Sequence, residues 1–143
     1  MPHDCLFCRI ARRDLPAHVV HEDDETLAFL DLHPIRPGHT LVIPKAHHVW
    51  FEDLPVPLAA RVMAVSQQIA RRQKRIYGVQ RVAMFFTGIH VPHAHAHVVP
   101  MHDVHDVTSA AYLADGTGGY SVPPRLPDEQ MAGIARQLSS DDA

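Results

Sequence analysis

No stretch of this chain approaches the ~20 consecutive apolar residues that a membrane helix needs, and the opening MPHDCLFCRIARRDLP holds no apolar run long enough for a signal-peptide core. A cytoplasmic protein without a membrane partner is therefore expected. Basic excess is missing as well. Lys and Arg number 13 against 16 Asp and Glu, for a formal net charge of -3, so there is no general positive field for a phosphate backbone and no nucleic-acid polymer is expected as partner. Cysteine is confined to Cys5 and Cys8. A chain of 143 residues buries enough surface to stand without disulfides, and in a reducing compartment the CxxC spacing reads as a metal clip or redox pair. Internal repeats and low-complexity tracts are absent too, which excludes solenoids and linkers and leaves one domain over residues 1–143 as the expectation.

Along the chain, the spacing of Leu6, Ile10 and Ala11 predicts a short helix over Cys5 to Arg13, broken by Asp14-Leu15-Pro16. Strands are expected at His18 to Glu22 and Thr26 to Leu30, joined by the acidic turn Glu22 to Glu25. The loop His33 to Gly38 carries two prolines and a glycine, and Thr40 to Ile43 reads as a β-branched strand stopped by Pro44. Leu58, Val62, Val65, Ile69 and Ile76 recur at helical spacing over Pro57 to Tyr77, with Arg61, Gln68, Arg71, Arg72 and Arg75 on the other side and Gly78 as the stop. The basic last turns complement the helix dipole. Arg81 to Phe86 and His93 to Val99 are expected strands, the latter closed by Pro100. A loop over Gly116 to Pro127, a helix over Asp128 to Leu138 and a frayed tail from Ser139 complete the reading. The fold class is α+β: an antiparallel sheet of about five strands with one long helix and short terminal helices, its core at about 4–105 and a C-terminal extension at 106–143.

What the chain has in excess is histidine. Of its 13, His90, His93, His95, His97, His102 and His105 fall in one short segment. In HAHAHVV, alternate residues of a strand share a face, so His93, His95 and His97 line one side while Ala94, Ala96 and Val98 face the core. At about 3.3 Å per residue the outer two sit roughly 13 Å apart, too far for one ion with ~2.0 Å bonds to nitrogen. A chance polar stripe remains open, as does a metal held by two of them. The chemical alternative is a row of neutral imidazoles, one attacking phosphorus and its neighbours stabilising charge on the phosphoryl oxygens, with a backbone carbonyl holding the nucleophile's other N–H.

Here the chain resembles the histidine triad (HIT) family, on three blocks in that family's order: CLFCRI from Cys5, HEDDETLAFLDLHPIRPGHTLVIPKAH from His21 to His47, and VPHAHAHVVP from Val91. The resemblance implies that His95 forms a nucleotidyl-histidine at the α-phosphate, that His97 contacts phosphate and that His93 supports them. It implies that Asp31 accepts the ribose hydroxyls and that Ile10, Phe29 and Leu30 wall the base pocket. It further implies a structural Zn2+ on Cys5, Cys8, His47 and His93, a purine nucleotide or nucleotidyl ester as substrate, and a homodimer. Many members place Gln and Ser ahead of the triad. This chain has Gly88-Ile89-His90-Val91-Pro92, where Ile89 has nothing to donate and His90 is either the leaving-group acid of the nucleotide site or a surface histidine. The expected function is a nucleotide hydrolase or transferase acting on phosphoramidates or dinucleoside polyphosphates. The competing readings are a non-catalytic purine-nucleotide-binding module and a metallohydrolase.

Overall fold

A computed structural model describes residues 4–107 and 123–140. Five strands, β1 (Val19–Glu22), β2 (Thr26–Leu30), β3 (Thr40–Pro44), β4 (Arg81–Phe85) and β5 (Ala96–Met101), form one antiparallel sheet in the order β1-β2-β3-β5-β4. Among the described residues the helices are α1 (Leu6–Ala11), α2 (Val56–Tyr77) and α3 (Asp128–Leu138), with a 3-10 turn at Phe51–Asp53. This is the α+β arrangement expected.

Strand alternation divides the apolar residues between two faces. Ala28, Leu30, Val42, Ala96 and Val98 meet Val62, Val65 and Ile69 of α2 and Met131, Ile134, Ala135 and Leu138 of α3. Leu27, Phe29, Leu41 and Ile43 pack instead with Cys5, Phe7, Cys8 and Ile10 around α1. The central strands are thus covered on both sides, and β2 and β3 are buried at every position. α2 begins with a proline in its first turn and ends at Gly78, whose left-handed φ of 65° lets its N–H donate to the Lys74 carbonyl.

Three expectations about elements need correction. β5 starts at Ala96, not His93, and continues through Pro100 to Met101. Proline is tolerated there because pairing with β3 ends at Val98, so at Pro100 only β4 lies alongside. His93 and His95 lie outside the ladder because their backbone is held elsewhere: the Ala94 N–H donates to the His48 carbonyl (2.7 Å). Pro44 likewise belongs to β3, opposite Thr26. Arg72, placed by periodicity on the polar side of α2, is buried and donates to the Leu138 carbonyl at the end of α3 (3.0 Å). The Gly116 to Pro127 loop lies mostly outside the described residues, as does the end of the tail.

Candidate active site

The histidines of HAHAHVV sit on the α1 face of the sheet, and hydrogen bonds settle which nitrogen of each ring carries a proton. A carbonyl only accepts. His95 Nδ1 lies 2.7 Å from the His93 carbonyl, so Nδ1 holds the proton and Nε2 keeps a bare lone pair. Burial holds this imidazole below its ordinary value, opposed by the His93 carbonyl and by Asp31, so the ring is neutral at physiological pH. Phe7 meets it edge to face, with centroids 5.0 Å apart.

A second relay starts from a backbone amide. The Ile35 N–H donates to His39 Nδ1 (3.1 Å), so the His39 proton sits on Nε2, which donates to His97 Nδ1 (2.9 Å). His97 is thereby left with its own proton on Nε2. Its ring is stacked on Phe85 at 4.7 Å and 10° and lies 4.9 Å from the His95 ring. Desolvation is the main cause that lowers both pKa values, to about 3 for His39 and about 3 for His97. Asp31 stands beside them, with Oδ2 3.7 Å from His39 Nε2, while Oδ1 accepts the His33 N–H (2.8 Å).

His93 does something different from its two neighbours. It is fully buried, and its Nε2–H donates to the Pro44 carbonyl (2.8 Å), leaving no ring donor for an anion. Its Nδ1 lone pair faces two sulfurs, Cys5 Sγ and Cys8 Sγ, each at 3.5 Å, and His47 Nδ1 is 3.3 Å from Cys8 Sγ. Bond lengths of 2.3 Å to sulfur and 2.0 Å to nitrogen put adjacent ligands of a tetrahedral ion about 3.5 Å apart, which the sulfur–nitrogen distances match. Cys5 caps the N-terminus of α1, so the short helix and the chain leading into the triad converge on one point. The Cys8 thiol is pushed up to about 11, first by burial and then by Cys5 beside it.

The remaining expected site residues divide. Ile10 and Phe29 lie on the α1 face with the triad, but Leu30, one residue on, turns to the α2 face and cannot wall a pocket on the histidine side. His90 lines a cavity of about 310 Å³ with Asp4, Cys5, Leu6, His47, Val91 and Pro92, beside the Cys/His cluster. Ile89 is 63% exposed. Sequence reasoning gave no role to His39, although its position two residues before Leu41, which pairs with His97, puts it on the same face. Nor did it find Asp106, which is buried, accepts two bonds from Arg36 (2.9 and 2.8 Å) and so ties the 33–39 loop to the turn after β5.

The HIT domain profile matches residues 12–104, and the chain belongs to this family. It is 40% identical over 105 residues to an uncharacterized HIT-like protein of Borreliella burgdorferi, covering 68% of this chain and 76% of that one. Over 100 residues it is 31% identical to an adenosine 5'-monophosphoramidase of Saccharomyces cerevisiae, covering 69% of this chain and 63% of the relative. The crystal structure of a Zn-bound histidine triad family protein from Mycobacterium smegmatis superposes with a TM-score of 0.73 at 32% identity, covering 95% of this chain and 91% of the other. Cys5 and Cys8 precede the matched stretch, so family membership by itself says nothing about a metal. Among the described residues, no helix is long and apolar enough to cross a membrane.

Proposed function

We propose that the protein is a nucleotide hydrolase or transferase that works at the α-phosphate of nucleotidyl substrates, phosphoramidates or dinucleoside polyphosphates, through a covalent intermediate on His95. The observation that carries this is the 2.7 Å bond from His95 Nδ1 to the His93 carbonyl, which aims an unprotonated Nε2 away from the backbone. In the first step the Nε2 lone pair forms a bond to phosphorus while the bond from phosphorus to the leaving nitrogen or oxygen breaks, its electron pair departing with the leaving group, which takes up a proton. Water then attacks phosphorus, losing a proton to the group that protonated the leaving atom, the N–P bond breaks, and His95 recovers its lone pair. The His97 Nε2–H, fixed by His39, is placed to stabilise charge on a non-bridging oxygen. Asp31 receives the ribose hydroxyls, Ile10 and Phe29 provide apolar contact for the base, and His90 protonates the leaving group.

Cys5, Cys8, His47 and His93 are proposed to hold a structural Zn2+, which supplies a cross-link between α1, the segment after β3 and the chain entering β5 and has no part in the chemistry. Two such chains are proposed to pair as a homodimer in the cytoplasm.

The test is to incubate the protein with an adenylylated phosphoramidate labelled in its phosphoryl group and quench rapidly. An acid-labile, base-stable label on His95 is the expected result. Tight nucleotide binding with no turnover and no label would favour the purely binding module. Turnover abolished by chelation in a protein that stays folded would favour a metallohydrolase.

A further inference from the structure

The ladder between β3 and β5 is short. It joins three residue pairs, Thr40↔Val98, Leu41↔His97 and Val42↔Ala96, whereas β2–β3 and β4–β5 each join five. This is the seam across which His39 must meet His97, and it ends at Thr40 and Val98, next to both. Just beyond that end a side chain from α2 takes over. Gln73 is fully buried, and its Nε2 donates to the Gly38 carbonyl (2.9 Å) and to the Val98 carbonyl (3.0 Å). Gly38 is the residue before His39, and Val98 is the residue after His97. An amide nitrogen has two protons, and both are used.

The rest of α2 confirms how closely the 33–39 loop is seated on it. Gly38 has φ of 94°, and a Cβ there would lie 2.6 Å from the Tyr77 ring, so only glycine lets the carbonyl reach Gln73. Thr40 Oγ1 donates to the same carbonyl (2.8 Å).

We infer that Gln73 is a positioning residue: from the opposite side of the sheet, its carboxamide clips the strand of His39 to the strand of His97 and holds the imidazole pair at hydrogen-bond distance. It touches no substrate. The inference rests on the proposed chemistry for its effect on rate, but not for its effect on the rings. Losing the clip loosens the seam where it is already shortest, and a displacement of the His97 donor of around 1 Å is enough to lower turnover by up to about a hundredfold.

The experiment compares wild type, Gln73→Leu and Gln73→Asn by imidazole nitrogen NMR and by steady-state kinetics. Leu removes both donors at similar volume. Asn keeps the amide on a stem too short to span both carbonyls, and it carries the test if the Leu variant fails to fold. The expected result is loss of the His97 Nδ1 signal characteristic of an accepted hydrogen bond, with kcat down about tenfold or more and KM changed much less. A folded variant with unchanged His39 and His97 spectra overturns the inference. If wild type shows no turnover at all, the proposed reaction fails, while the ring signals still decide the role of Gln73.

Discussion

Two histidine-containing clusters of metal-ligating residues lie side by side in this molecule and do opposite things with their protons. Cys5, Cys8, His47 and His93 bring four ligand atoms within 4.8 Å of one another, and so do the three atoms of Asp31, His39 and His97. On composition either set is a metal site. In the first, the His93 proton is drawn away to the Pro44 carbonyl, so its lone pair turns toward the thiols. In the second, the Ile35 amide forces the His39 proton onto Nε2, the atom an ion would need, and that proton is already given to His97. A cation there would have to displace it and break the Ile35 bond. Which backbone group each ring meets decides between ligand and relay, and His93 links the first cluster to His95, whose Nδ1 its carbonyl orients.

If the division is real, variants of the two clusters should fail in different ways. The largest effect is expected for His95→Ala, which should lower kcat by roughly 10⁴-fold or more while leaving the metal content and the melting temperature close to wild type; residual turnover near the wild-type rate would remove His95 from the mechanism. His97→Ala should cost about 10²- to 10³-fold in kcat, and His39→Phe about tenfold to a hundredfold, because the His97 donor survives but loses its partner. Neither should change the metal bound per chain, measured by atomic emission.

Cys8→Ser reverses the pattern. Metal content should fall, and the thermal midpoint with it by roughly 10 °C, with a smaller loss of turnover that grows with temperature as α1 detaches. A His39→Phe protein that lost its metal, or a Cys8→Ser protein that kept it, would break the comparison.

The smallest effect is a pH dependence of stability. His39 and His97 ordinarily protonate at 6.5 but are held down to about 3 in the fold. The unfolded chain therefore binds more protons than the native one between those values. Their contribution is fully present above about 6.5 and is lost as pH falls toward 3. The urea midpoint should decline already above the carboxylate range, and His39→Phe should flatten that slope.

Much of this was legible in residue order. The apolar run of Thr26 to Leu30 behind its acidic turn, the β-branched Thr40 to Ile43 and the helical period of α2 pointed to the sheet and its main cover, and HAHAHVV marked the candidate site. What stayed hidden depends on contacts between distant segments. Leu30 and Phe29 are equally apolar, and only the phase of β2 relative to the sheet separates α2 face from histidine face. Arg72 and Gln73 look like solvent-facing helix residues until α3 and the β3–β5 seam are laid against them. His39 stands in a strand opening, and its role comes from an amide four residues earlier and a ring 58 residues later.

The proton positions of the three triad rings and His39 are the claim on which all else turns, and nitrogen-detected imidazole spectra of histidine-labelled wild-type protein at neutral pH read them directly. The account predicts protons on Nδ1 of His95 and on Nε2 of His39, His93 and His97, with all four rings neutral. A proton found on His95 Nε2 would leave no lone pair for phosphorus and would contradict it.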